Sequence, residues 1–245
     1  MADISEATSE TSLIVKGFKR VRTSCWWLIF AFLLTLIADT IYLIFTFIHG
    51  VDWAFDAEPL GIAQYWFLLE VITGIGTLLQ LIGLILFANG QKKYSEYTET
   101  GKGSIKASRI IATFYLIILV LINIMRFIIL GFHFEMTGDL RGIVAPIVLS
   151  LYILLFSLAM FFSNSALKKM KEEKGIPSKS MVTPYLLFIP LLGQILALVF
   201  SFIASMDGIY AYTYLISIIL FNFLVIVTCI NFLMILKKEE IQTIT

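Results

Sequence analysis

Six long apolar runs limit what this chain can fold into. They cover residues 26–48, 64–88, 108–132, 143–163, 184–205 and 209–236. A helix needs about 20 apolar residues to cross the hydrocarbon core of a bilayer, and each run is that long. The runs are continuous, whereas the strands of a membrane barrel alternate polar and apolar residues. Since 59% of the residues are hydrophobic and only 14% are charged, a water-soluble domain could not bury this much apolar surface. The sequence therefore predicts an all-α, polytopic membrane helix bundle, with six transmembrane helices arranged as three hairpins.

Lysine and arginine are concentrated in alternate segments between these runs. Of the 18 basic residues, all but Arg126 and Arg141 lie in the N-terminal segment, around 89–107, around 164–183 or in the C-terminal tail. In the intervening segments, around 49–63 and 133–142, most of the charged residues are aspartate or glutamate. Basic residues are retained on the cytoplasmic side of a membrane. We therefore expect a multi-pass protein of the cell membrane whose N-terminus and C-terminus are both cytoplasmic.

This pattern divides the chain into three regions. Residues 1–25 form a cytoplasmic, amphipathic and basic segment, 26–236 the transmembrane domain, and 237–245 a cytoplasmic tail. Within the first region, residues 13–22 place apolar and basic side chains on opposite arcs of a helix. Two interpretations are open: a helix lying in the membrane interface on anionic lipid, or a helical flank of the first span.

The three hairpins each end in a lysine pair, at residues 92–93, 168–169 and 237–238. An old triplication would produce this pattern, and so would independent selection for lysine at three cytoplasmic helix ends.

Two short segments resemble archaeal multi-pass membrane protein families of unknown function. The first is GFKRVR at residues 17–22, which leads into the first span, and the second is GLILF at 83–87, followed by QKKY at 91–94. The resemblance implies a multi-pass membrane protein. Because those families carry no known active site, it implies no catalytic residue.

Several polar residues interrupt the apolar runs. At a rise of 1.5 Å per residue, five of them fall at similar depths in the outer half of the bundle. A sixth, Gln80, shares a face of the second span with Glu70. We call these six residues the polar set: Asp39, Glu70, Gln80, Asn123, Arg126 and Tyr152.

The polar set has two interpretations. Ionisable residues within spans usually face the bundle interior, where they pair with one another or line a functional path. The set is then either a buried network that fixes helix packing, or a ligand or ion site that opens to the outer face. In either case Glu70 is the expected partner of Arg126, because their depths match.

The fifth run has its own packing signals. Gly193, Ala197 and Ser201 form a ridge of small residues beside Gln194, which predicts a close helix contact. Pro190 removes a backbone donor and predicts a kink.

Function is less constrained by the sequence than fold. We find no phosphate-binding loop, nucleophile elbow or zinc-protease helix, and expect no enzyme activity, no cofactor and no metal site. A net charge of +1 gives no reason to expect nucleic acid as a partner. The two cysteines are expected to be free thiols at cytoplasmic helix ends.

The expected role is that of a membrane scaffold or partner subunit. Its expected partners are the lipid bilayer, with anionic lipid at the inner face, and a membrane protein or a second copy of the chain. The alternative is a small-solute or ion transporter or channel that uses the polar set.

Overall fold

A computed structural model describes residues 2–50, 62–96, 99–132, 138–173, 182–203 and 207–236. This part of the chain is helical and contains no strand. Its helices are α1 (Ala2–His49), α2 (Ile62–Ser95), α3 (Lys102–Phe132), α4 (Gly138–Glu173), α5 (Thr183–Leu186), α6 (Ile189–Ser201) and α7 (Asp207–Ile235). Six stretches, with α5 and α6 taken together, are long and apolar enough to cross a membrane. The predicted all-α fold with six such helices is confirmed; the predicted tail, 237–245, lies outside the described residues.

The helices form a closed ring in chain order. Each of the long helices α1, α2, α3, α4, α6 and α7 contacts the next, and α7 returns to contact α1. The predicted hairpins are neighbouring pairs in this ring: α1 with α2, α3 with α4, and α6 with α7. The short helix α5 lies against α4 and α7.

Two helices continue well beyond the predicted runs. The second run was predicted to end at residue 88 and the fourth at 163, whereas α2 extends to Ser95 and α4 to Glu173. Lysines in the last turns are favourable for a helix C-terminus because they oppose its negative dipole end. Buried residues such as Gln91 and Met170 also pack these extensions into the bundle. We call this end of the bundle, where residues 14–22, 92–96, 99–109 and 168–173 lie, the lysine-rich end.

A seam with a seven-residue period joins α1 and α2. Three glycines of α2 each face a larger residue of α1: Gly76 faces Thr35, Gly83 faces Leu28, and Gly90 faces Val21. A Cβ atom added at these glycines would lie only 2.7–2.9 Å from the facing side chain. Seven residues are nearly two helical turns, so the three contacts repeat along one face of each helix. Gly74 of α2, by contrast, has no atom within 4 Å of an added Cβ.

The N-terminal basic segment belongs to the same helix as the first span. α1 runs from Ala2 to His49 without interruption. Phe18 and Val21 are buried, while Lys16 and Lys19 are exposed. Gly17 contributes its carbonyl to the close contact with α2. This continuity favours the second interpretation of the segment, a helical flank of the first span.

The fifth run is broken into two helices, α5 and α6. The break lies at residues 187–188, just before Pro190, which stands in the first turn of α6 and has no backbone donor. The Ser157 hydroxyl of α4 lies over the Leu187 carbonyl beside the break, at 3.1 Å, and shares its one proton between that carbonyl and the Ile153 carbonyl of its own helix, at 2.7 Å. On the other side, Asn231 of α7 donates to the Thr183 hydroxyl at 3.2 Å. The predicted kink is thus a two-residue break in the regular α-helical hydrogen bonding, in which Leu187 and Phe188 keep right-handed helical backbone angles.

The ridge of small residues on α6 packs against α7. Gly193 faces Ser217 at a distance that leaves no room for a side chain. Ala197 is completely buried. Gln194 donates from Nε2 to the Tyr214 carbonyl of α7 at 3.0 Å. The Ser201 hydroxyl bonds within its own helix, and the close contact with α7 is at Gly193.

Candidate functional site

Five aromatic rings fill the centre of the helix ring. They belong to Phe32 of α1, Tyr115 of α3, Tyr152 and Phe156 of α4, and Phe221 of α7. Neighbouring ring centroids are 4.6–5.8 Å apart, mostly in edge-to-face geometry. Such pairs attract each other by about 0.5–1.5 kcal/mol beyond the burial of their surface. We call these five side chains the aromatic cluster; it joins α1, α3, α4 and α7 inside the bundle.

Two members of the polar set meet at the edge of the aromatic cluster. The Tyr152 hydroxyl donates to Oε1 of Gln80 at 2.7 Å, which links α4 to α2. Gln80 is almost completely buried. The Tyr115 ring packs against the Tyr152 ring at a tilt of 40°, with centroids 4.6 Å apart. Its buried hydroxyl lies beside the Tyr152 hydroxyl. The hydrogen bond between Tyr152 and Gln80 therefore satisfies two polar groups whose burial without a partner would be unfavourable.

Asp39 has a partner that the sequence reasoning missed. Nδ2 of Asn222 in α7 donates to Oδ2 of Asp39 at 2.7 Å, a short bond of the kind that carboxylates form. Asn222 is buried and follows Phe221 of the aromatic cluster. Asp39 is also near enough to Tyr152 to interact with it electrostatically. The two hydrogen-bonded pairs thus lie on neighbouring sides of the aromatic cluster.

The remaining members of the polar set lie on α2 and α3. Asn123 donates to the Leu119 carbonyl one turn earlier in α3, at 2.7 Å. Glu70 is half-buried on α2. The side chain of Arg126 lies outside the described residues, so its pairing with Glu70 stays a prediction.

A second buried polar chain links α2, α3 and α4 nearer the lysine-rich end. Nε2 of Gln91 donates to the Ser108 hydroxyl at 2.8 Å, and this hydroxyl donates to the Ala159 carbonyl at 2.6 Å. Gln91 and Ser108 are completely buried. The sequence reasoning missed this chain because both residues fall outside or at the margin of the apolar runs. The sequence did contain one signal for this chain. Gly90 continues the seven-residue spacing from Gly83, which indicates that α2 stays packed as far as the neighbouring Gln91.

Two cavities open near the lysine-rich end of the bundle. One, of about 380 Å³, lies between the end of α2 and the start of α3. The other, of about 260 Å³, lies along α3 from Arg109 to Ile117. Neither is lined by a member of the polar set.

Comparison with protein-family models, with curated proteins and with solved structures finds no match to this chain. The resemblance to archaeal membrane proteins therefore stays an expectation.

Proposed function

We propose that the protein is a multi-pass integral membrane protein that acts as a scaffold or partner subunit and does not conduct a solute. The observation that carries this proposal is the aromatic cluster at the centre of the helix ring. A channel or carrier needs a path that water or substrate can enter. Here the corresponding space is filled by large side chains, four of which are at most 1% exposed: Phe32, Tyr115, Phe156 and Phe221.

The pairing of the interior polar groups supports the same conclusion. Gln80 bonds to Tyr152, and Asp39 bonds to Asn222. Transporters often place their substrate site where a helix is discontinuous near the middle of the membrane. The break between α5 and α6 lies about one turn into its span, and Ser157 covers its carbonyl.

Asp39 indicates where a partner would bind. Asp39 bonds to Asn222, but the residue is only half-buried, and exposure of a polar side chain to hydrocarbon is unfavourable. A second helix placed against α1 beside Asp39 would remove that exposure. Water reaching Asp39 through a path would also do so, and this is the transporter alternative.

The distribution of lysine supports an orientation. Lys16 of α1 lies at the same end of the bundle as the helix ends that carry Lys92, Lys106 and Lys168. Since basic residues are retained in the cytoplasm, we propose that this end and both termini face the cytoplasm.

Thiol accessibility distinguishes a sealed interior from a conducting path. The native chain serves as the blank because Cys25 and Cys229 are completely buried. Gln80→Cys should react with a small, water-soluble methanethiosulfonate orders of magnitude more slowly than Gly103→Cys, which lies at an exposed position. Comparable rates would show that water reaches the interior and would favour a transporter.

Cross-linking tests the partner side of the proposal. Thr40→Cys, exposed next to Asp39, should form a discrete disulfide-linked product with a second copy or another membrane protein in oxidised membranes. Leu78→Cys is the matched control, because Leu78 is also an exposed residue within a membrane span but lies on α2. No product at Thr40→Cys, or the same products at both positions, would contradict a partner against this face.

A further inference from the structure

The cavity between α2 and α3 carries an excess of positive charge. Its lining residues are Lys92, Ser95 and Glu96 from the end of α2, and Lys102, Lys106 and Arg109 from the start of α3. Four of these side chains are cationic and one is anionic. One cation, Lys102, forms an exposed ion pair with Glu99 at 3.0 Å, which contributes little because water screens it. We call this space the basic cavity; its charge favours an anionic ligand.

The fold explains how these cations come together. Gly101 adopts a φ of 71°, which a residue with a side chain rarely adopts, and it packs against Ala166 of α4. This turn brings the start of α3 back beside the end of α2. On α3, Lys102, Lys106 and Arg109 are spaced by four and three residues, so they share one face.

The same face of α3 changes from cationic to apolar as the helix enters the bundle. The second cavity is lined by Arg109 and then by Ile110, Thr113, Phe114 and Ile117. The Thr113 hydroxyl bonds to the Arg109 carbonyl at 2.9 Å, so its polar group is already satisfied. Ile110, Phe114 and Ile117 are exposed on the outer surface. We call this the apolar groove; Arg109 lines both it and the basic cavity.

We propose that the basic cavity and the apolar groove together bind one anionic phospholipid of the inner leaflet. The phosphate would contact Lys106 and Arg109, and an acyl chain would lie along Ile110 and Ile117. From Lys102 to Ile117 the helix rises about 22 Å, which matches one leaflet of a bilayer. Basic pockets between membrane helices at the cytoplasmic side are suited to acidic headgroups. A free phosphate compound would use only the basic cavity and would leave the apolar groove empty.

This inference rests on the proposed membrane location and orientation, but not on the choice between scaffold and transporter. Lipid binding to purified protein does not depend on whether the interior conducts. The test is therefore made on the full chain in an uncharged detergent, separately from the accessibility and cross-linking experiments.

The experiment measures the melting temperature and the bound lipid of the purified protein. Added phosphatidylglycerol should raise the melting temperature and saturate at one lipid per chain by native mass spectrometry. Phosphatidylcholine with the same acyl chains should bind at least about five-fold more weakly, because it lacks the net charge. Glycerol 3-phosphate, which has the phosphate but no chains, should have no effect at the same concentration.

Two pairs of variants test the two halves of the site. Lys106→Gln with Arg109→Gln should weaken phosphatidylglycerol binding about 30-fold, or about five-fold for each charge. The control, Lys168→Gln with Lys169→Gln, removes the same charge at the same end of the bundle and should have a much smaller effect. In the apolar groove, Ile117→Trp should displace the acyl chain and weaken binding. Leu121→Trp, one turn further along α3 and equally exposed, should not.

Each contrary result overturns the proposal. Equal binding of the two phospholipids would remove the role of charge, and equal protection by glycerol 3-phosphate would make the ligand a soluble anion. If the double variant at Lys106 and Arg109 and the control at Lys168 and Lys169 weaken phosphatidylglycerol binding equally, the effect is one of general charge and not of this site. If the double variant does not fold, the exposed Lys106→Gln alone should still weaken binding about five-fold, and unchanged binding there contradicts the site.

Discussion

Replacing Gly90 by alanine tests the close packing of α1 on α2. An added Cβ would lie 2.9 Å from the Gly17 carbonyl oxygen and 2.9 Å from the Val21 backbone nitrogen, whereas ordinary contacts begin at 3.4 Å. These atoms belong to the backbone, so α1 must withdraw by about 0.5 Å. A gap of that size weakens each dispersion contact along the seam by roughly a quarter.

The expected loss can be estimated from these distances. Overpacking of this kind costs about 1–3 kcal/mol. The greater helix preference of alanine offsets up to about 1 kcal/mol of that loss. We therefore expect Gly90→Ala to lower the free energy of unfolding by about 1–2 kcal/mol. The assay is reversible unfolding in mixed micelles, with the mole fraction of dodecyl sulfate as the denaturant variable.

Matched glycines on the same helix sharpen the test. Gly74→Ala should be neutral or slightly stabilising, because no atom lies within 4 Å of its added Cβ. Gly83→Ala meets the flexible side chain of Leu28, so it should cost less than Gly90→Ala. Its loss should also be less than additive with that of Leu28→Ala. If Gly90→Ala and Gly74→Ala unfold at the same dodecyl sulfate fraction, the close seam does not exist.

Three further predictions concern polar contacts and use the same unfolding assay. In a double-mutant cycle, Tyr152→Phe and Gln80→Leu should couple by about 1 kcal/mol, and zero coupling would show that the two side chains do not bond. Arg126→Leu should destabilise the protein by leaving carboxylates uncompensated, and Glu70→Leu should recover much of that loss; a purely additive loss would show that they do not pair. Ser157→Ala should cost about 1 kcal/mol by uncovering the carbonyl at the α5–α6 break, and an unchanged stability would mean that the break needs no cover.

The number of helices could be predicted because length and composition determine which segments can cross a membrane. The apolar runs alone predicted six such helices, and Pro190 predicted where the fifth is interrupted. Helix ends were harder to predict. The composition predicted that the second run ends at residue 88, so Gly90 fell outside it, although in the structure Gly90 continues the seam of Gly76 and Gly83.

Partners across the bundle were not predictable from composition or spacing. Asn222 was visible as an amide within an apolar run, but nothing in the sequence states that α7 closes the ring on α1. Only that contact brings Asn222 to Asp39. The aromatic cluster was missed for the same reason, since phenylalanine and tyrosine occur on every face of these helices. Spacing within one helix predicts which residues share a face, but the order of helices around the ring decides what that face meets.

The most direct test of the central claim, a six-span chain with its lysine-rich end in the cytoplasm, is maleimide labelling in intact cells. The native chain is the blank because both its cysteines are buried. With a membrane-impermeant maleimide, Asp56→Cys should be labelled in intact cells. Gly103→Cys and Lys169→Cys should be labelled only after the membrane is permeabilised. Labelling of Gly103→Cys or Lys169→Cys in intact cells, with Asp56→Cys protected, would contradict the orientation, and labelling of all three would contradict the spans.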